Sequence, residues 1–140
     1  MTSQNSSSSM KGSCACGRIK FTATKPRQTV FCYCTTCRKC SGAAFLPFVH
    51  FHKADVVFET EPDEWHKSDN AARAHCSTCG SSISMMYYKD SEEVGVLLGC
   101  FDEGVELAEP VSKCIFVEEK PHWAELPKDI PAFRGFNGSS

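Results

Sequence analysis

The chain has 140 residues, enough for one domain of ordinary size, and its 41% hydrophobic and 23% charged residues supply a core and exclude disorder throughout. A formal net charge of -2 provides no summed positive field for a phosphate backbone, so generic nucleic-acid binding lacks its electrostatic basis and no nucleic-acid partner is expected. No apolar run approaches the roughly 20 residues that span a bilayer, and Met1 to Ser9 lacks the apolar segment of an export signal, so the expected setting is soluble and cytoplasmic, with no membrane partner.

Residues 1–11, with Ser6 to Ser9 in a row, carry little apolar surface to offset the entropy of ordering and are expected to form a flexible tail. The folded part is expected over 12–133, with 134–140 frayed. Within it, apolar residues alternate with polar ones or form short runs: Ile19 to Ala23, Val30-Phe31, Phe45 to Phe51, Val56 to Phe58, Ile83 to Tyr88, Val94 to Phe101 and Cys114 to Val117. These are predicted strands. Turn formers separate them at Lys25-Pro26, Glu61-Pro62-Asp63, Ser68-Asp69-Asn70, Lys89-Asp90-Ser91, Asp102-Glu103-Gly104 and Glu109-Pro110. No long amphipathic helix and no solenoid repeat is evident, so the pattern predicts a mainly β single domain of short antiparallel strands.

Ten cysteines stand out, and their spacing argues for metal rather than disulfides. Cys14 and Cys16 form one C-x-C pair and Cys76 and Cys79 a C-x-x-C pair, each followed by a glycine that permits the left-handed backbone of a metal knuckle. Four thiolates from two distant hairpins would close a tetrahedral structural zinc site. Cys32, Cys34 and Cys37 offer three more thiolates, which leave a zinc position open to an incoming thiolate. Cys40 lies three residues beyond Cys37 and on a helical turn would share its face, so an open site and one sealed by Cys40 are both expectations.

The ordered set C-x-C-G, C-x-C-x-x-C-R followed by Ser41-Gly42, C-x-x-C-G, and Lys120-Pro121-His122-Trp123 before Leu126-Pro127 resembles the glutathione-dependent formaldehyde-activating enzyme family, which includes centromere-protein-V-like members. The resemblance covers about 12–133 and implies a zinc-stapled β-tent fold. It implies a structural zinc on Cys14, Cys16, Cys76 and Cys79 and a second, catalytic zinc on Cys32, Cys34 and Cys37. The activity it implies is that of a carbon-sulfur lyase run in reverse, joining formaldehyde to glutathione to give S-hydroxymethylglutathione. Three positions depart from the family's usual residues: Tyr33 stands where His is common, Cys40 where a small or polar residue is familiar, and Cys114 where His is expected. A divergent lyase, isomerase or decarboxylase acting on a thiol adduct or other small metabolite is the alternative enzyme reading. A non-catalytic zinc module docking a protein partner is the alternative of a different class, and a homodimer is left open.

Among other polar residues, Arg38 and Lys39 follow Cys37 directly and would attract the carboxylates of a glutathione-like molecule, or form a solvated surface pair. His50 and His52 share one face of a predicted strand, where an imidazole would serve acid-base chemistry or simply a polar face. His75 is an alternative ligand or a surface residue; Cys100 and Cys114 read as small buried hydrophobes. Tyr87, Tyr88, Trp65 and Trp123 read as core or pocket wall.

Overall fold

The structure is a computed structural model that describes residues 8–136, with the side chains of 64–67 left aside; Trp65 therefore lies outside the described side chains. Its strands are β1 (Ser9–Ser13), β2 (Lys20–Thr24), β3 (Gln28–Cys32), β4 (Leu46–His52), β5 (Val56–Phe58), β6 (Asp63–Lys67), β7 (Ala71–His75), β8 (Ser82–Tyr87), β9 (Glu93–Leu97), β10 (Phe101–Glu103) and β11 (Val111–Ile115). One α-helix, α1 (Thr35–Ser41), is described. The strands form two sheets, ordered β10-β1-β2-β5 and β11-β3-β4-β9-β8-β7-β6.

Alternation along β4 shows how the period of two builds two cores on one strand. Val49 and Phe51 point between the sheets, where they pack with Met10, Ile19, Phe21, Ile83, Val96 and Phe101. Leu46 and Phe48 point the other way and pack with Val30, Cys32, Cys37, Met85, Leu97 and Ile115. The large sheet thus covers one core with the small sheet and a second beneath α1, whose Cys37 is fully buried. The sulfurs of the second cluster sit inside or against this second core.

Several expectations are corrected. The segment read as tail up to residue 11 enters β1, where Met10 is completely buried and Lys11 pairs with Thr22 and Glu103, because one apolar side chain between two sheets suffices to order a short strand. The remaining residues 1–7 lie outside the described part. The segment read as frayed from 134 is paired as far as Gly135, whose carbonyl accepts from the Phe116 amide at 3.0 Å. The strands are not all antiparallel: β11 runs parallel to β3, with Cys114 beside Phe31 and Ile115 beside Cys32. Strands β6 and β7 carried no clear signal, since Ala71–His75 is rich in alanine and charge rather than β-branched residues. The run from Val94 to Phe101 is broken into β9, a 3-10 turn at Leu98–Cys100, and β10, which carry the chain from one sheet to the other. Among the described residues, no helix is long and apolar enough to cross a membrane.

Candidate metal centres and the adjoining groove

The turn after β1 and the turn after β7 come together through the packing of the two sheets. Their four sulfurs, those of Cys14, Cys16, Cys76 and Cys79, all lie within 4.8 Å of one another. Cys14 Sγ is 3.6 Å from Cys16 Sγ, and Cys16 Sγ is 3.9 Å from Cys76 Sγ. Four sulfurs held about 2.3 Å from one tetrahedral ion are separated by about 3.8 Å, so this donor set fits zinc. Gly17 and Gly80 take left-handed φ of 83° and 81°, the backbone that lets each knuckle turn back on itself. The Ile19 amide donates to Cys14 Sγ at 3.2 Å, and the Ala15 amide donates to Ser81 Oγ at 2.9 Å, tying one knuckle to the other.

Electrostatics favour anionic sulfur at Cys76 and Cys79, whereas at Cys16 the Arg18 amide lowers the thiol but burial and contacts with Cys14, Cys79 and Cys76 outweigh it and push it up to about 11. The Ser81 hydroxyl, the amides of Ser81 and Cys16 and a contact with Cys76 hold the Cys79 thiol down at about 5. At Cys76 burial pushes the thiol up, but the amides of Cys79 and Thr78 and the Arg18 guanidinium outweigh it and the thiol is lowered. Arg18 is itself anchored by an ion pair to Asp63, whose carboxylate also accepts from the Ser77 amide at 2.8 Å.

The second cluster is built by the end of β3 and the start of α1. Cys32 ends the strand, Cys34 is the N-cap with an extended φ of -65° and ψ of 153°, and Cys37 stands in the first helical turn. Their three sulfurs lie within 4.8 Å of one another, with Cys37 Sγ 3.4 Å from Cys32 Sγ. Cys34 Sγ accepts from the Cys37 amide at 3.3 Å, so the helix start itself helps to hold a thiolate. Cys40 is not part of this group; it lines a small cavity with Arg73, His75 and Ser82 instead. Three sulfurs without a fourth fit a zinc ion with an open position.

Sequence reasoning missed Arg73. It lies on β7, only 7% exposed, and donates from Nη1 to Cys37 Sγ at 3.3 Å, with Nη2 4.0 Å from Cys34 Sγ. A divalent ion with three thiolates carries one net negative charge, and a buried guanidinium beside two of the sulfurs offsets it. The available signal was an arginine inside the small apolar run Ala71-Ala72-Arg73-Ala74, because a buried charge requires an opposite one.

Among the three thiols, the negative charge is favoured on Cys34 and disfavoured on Cys32 and Cys37. Hydrogen bonds from Cys32 and Cys37, the Cys37 amide and the charge of Arg73 hold Cys34 far below the thiol range against its burial. Cys32 is raised by its contacts with Cys34 and Cys37 and by burial. At Cys37 the contact with Cys32 lowers the thiol, but the contact with Cys34 and burial outweigh it and push it up to about 12. A divalent ion bound by all three sulfurs must therefore expel about two protons, and its affinity rises with pH. Up to about a hundredfold gain per pH unit is expected near neutrality, and zinc calorimetry in buffers of differing ionisation heat measures the protons. Release of one proton or fewer from this site would contradict a single thiolate among the three sulfurs.

The family model described as glutathione-dependent formaldehyde-activating enzyme matches residues 9–119. The chain belongs to this family. A curated protein of Halomonas elongata, provisionally named a glutathione-dependent formaldehyde-activating enzyme, is 28% identical over 130 residues, covering 84% of this chain and 80% of the relative. A crystal structure of a Rhodobacter sphaeroides protein superposes with a TM-score of 0.55 at 22% identity, over 71% of this chain and 96% of that one, and supports the fold.

Against this family background the two departures Tyr33 and Cys114 turn out to be partners. Tyr33, only 1% exposed, stacks on Phe45 at 5.0 Å, and burial together with the neighbouring Cys114 sulfur pushes its hydroxyl up to about 12.

The remaining candidates separate. Arg38 donates to Thr35 Oγ1 at 3.2 Å and Lys39 is exposed. His50 Nδ1 is 3.1 Å from Glu93 Oε2 and its ring lines a cavity, whereas His52 caps a 3-10 turn through Nδ1 and faces Glu92. His75 is no ligand here: its Nε2 is 3.0 Å from Ser82 Oγ. Cys100 Sγ donates to the Ser82 carbonyl at 3.1 Å. Tyr87 walls a cavity and has its hydroxyl raised by burial and by the charge of the second cluster. Trp123, expected as core or wall, is 66% exposed.

If Cys40 is only a neighbour of the second cluster, Cys40→Ser keeps both metal ions and the melting temperature within about 1 °C. Metal analysis and a thermal scan check this, and loss of one metal equivalent would return Cys40 to the ligand set.

Proposed function

We propose that this chain is a zinc-dependent carbon-sulfur lyase of the family, joining the sulfur of glutathione to formaldehyde or another small aldehyde, in a cytoplasmic setting where thiols stay reduced. The observation that carries this reading is the three-sulfur cluster of Cys32, Cys34 and Cys37, which lacks a fourth protein sulfur and is backed by buried Arg73. The four-sulfur cluster serves structure.

Cys32, Cys34 and Cys37 would hold a zinc ion that, when bound, would supply the Lewis acidity to keep an incoming thiol as thiolate at neutral pH. Cys32, Cys34 and Cys37 hold that position at the mouth of α1, and Arg73 neutralises the excess charge of their sulfurs. Arg38 and Lys39, in the last turn of α1, add positive charge that draws the carboxylates of the thiol ligand. The substrate sulfur then attacks the carbonyl carbon. A carbon-sulfur bond forms, the carbonyl π pair moves to oxygen, and that oxygen takes up a proton equivalent to the one the thiol gave up. The reverse is the lyase direction.

The test is two-dimensional exchange NMR on glutathione and formaldehyde with the zinc-loaded protein. Exchange between free glutathione and S-hydroxymethylglutathione faster than the spontaneous reaction is expected. No acceleration for formaldehyde or for other small aldehydes would sink the reading and favour a non-catalytic zinc module.

A further inference from the structure

The sheet face that carries the second cluster continues beyond those sulfurs into a cavity of about 140 Å³. The register shows how: Cys32, Val30 and Gln28 follow one another on one face of β3, flanked by Leu46, Phe48 and His50 of β4 and by Ile115 and Lys113 of β11. Val30, Met85 and Ile115 line the cavity and also pack in one cluster with Cys32 and Cys37, so the floor runs apolar from the sulfurs outward. The far end is ionic, with Lys113, Asp90 and the His50-Glu93 pair. Gly95 keeps the floor low, since a Cβ there would come within 3.1 Å of Phe48 and 3.3 Å of His50.

Phe136 closes one side. Its ring meets Tyr87 edge-on at 4.7 Å, with Lys89 Nζ 4.5 Å and Lys113 Nζ 5.9 Å from its centroid. A second cavity of about 350 Å³ lies against the same Tyr87 and Phe136. Phe136 stands beyond the family match, which ends at residue 119. Its strand-like segment is held to β11 by Cys114 N to Pro131 O at 2.8 Å and Phe133 N to Cys114 O at 2.9 Å.

We propose that the cavity seats the zwitterionic α-amino-acid head of a thiol ligand, its carboxylate on Lys113 and its ammonium beside Asp90 and Glu93, with Phe136 as the wall that limits its length. This rests on the reading that the second cluster receives the ligand's sulfur. The charge set suits a zwitterion: a dianion would meet Asp90 and a plain cation would meet Lys113, while Glu93 is already flanked by His50 and Arg27. Size agrees, since the cavity has the volume of about five waters and an amino-acid head has about that many heavy atoms. Reach agrees as well. Val30 and Gln28 lie two and four residues from Cys32, about 7 and 13 Å along the strand, and the head of a γ-glutamyl-cysteinyl thiol extends roughly 8 Å from its sulfur.

The experiment uses the full, zinc-loaded chain and S-methylglutathione, which keeps the amino-acid head but has no ionisable thiol. Saturable binding by calorimetry is expected, weakened about tenfold or more by Lys113→Met and restored by Lys113→Arg, as for loss of one charge-assisted hydrogen bond. Phe136→Ala should widen acceptance to bulkier heads that keep both charges, such as the N-methylated form. In parallel, the absorption bands of the cobalt-substituted protein should shift with glutathione and with 2-mercaptoethanol, equally in wild type and Lys113→Met at saturation. If S-methylglutathione does not bind, or binds a folded Lys113→Met variant as tightly as wild type, the seat is overturned. A cobalt spectrum that still responds to both thiols would then leave the reading of the second cluster standing. Lys113-dependent binding with a cobalt spectrum indifferent to both thiols would uphold the seat and overturn that reading instead.

Discussion

Replacing Cys34 by Ser is expected to lower the exchange between glutathione and S-hydroxymethylglutathione at least a hundredfold while leaving the fold and the four-sulfur metal in place. Cys34 is the sulfur held as thiolate, through hydrogen bonds from Cys32, Cys37 and the Cys37 amide and the charge of Arg73. A serine hydroxyl is not deprotonated near neutrality and is a poor zinc ligand, so the loss exceeds the 10- to 100-fold typical of removing a supporting hydrogen bond around a metal. The local fold should tolerate the change, because Cys34 also caps α1 and serine is a favoured N-cap. Fold and chemistry therefore separate at this one position. The comparison is exchange NMR, metal content and circular dichroism on both proteins. Wild-type exchange in a variant that has lost its second metal would remove the metal from the mechanism.

Replacing Cys76 by Ser is expected to act on stability. Cys76 is completely buried, and its backbone closes the knuckle by accepting from Gly80 at 2.7 Å and donating to Ser81 at 3.0 Å. Its sulfur belongs to the cluster that fastens the turn after β1, in the four-stranded sheet, to the turn after β7, in the seven-stranded sheet. A structural zinc contributes about 10–16 kcal/mol of binding free energy, while a domain of this size is stable by only about 5–15 kcal/mol. Losing one of four ligands therefore removes a large part of the whole margin. The expected result is insoluble protein or a melting temperature lowered by tens of degrees, read by thermal scan against metal content. A soluble variant with unchanged melting and two metal equivalents would show that these sulfurs do not staple the sheets.

The two cysteine clusters were legible in the sequence for the same reason. Close spacing is a local property: C-x-C and C-x-x-C put two sulfurs within reach of one ion whatever the rest of the chain does, and a glycine after the second cysteine marks the turn. Hence Cys14 with Cys16, Cys76 with Cys79, and the trio Cys32, Cys34 and Cys37 could be grouped, and the strongly alternating segments such as Phe45 to Phe51 could be read as strands. Segments without that alternation could not. Met10 orders β1 because two sheets close over it, and Ala71–His75 becomes a strand because β6 and β8 pair with it on both sides, neither of which is a property of the segment itself.

The environment of the second centre belongs wholly to the tertiary structure. Arg73 reaches Cys37 across 36 positions of sequence, Tyr33 meets Cys114 only because β11 lies parallel to β3, and Cys40 turns away to a separate small cavity. Likewise His50 faces the groove while His52, two residues on, is taken up by a turn. The sequence determined which residues can bind a metal, since that follows from side-chain chemistry and short-range spacing. Which buried charge offsets them, which cysteine stays out, and which apolar floor leads away from the sulfurs depended on strand register, because register decides the face on which each side chain emerges.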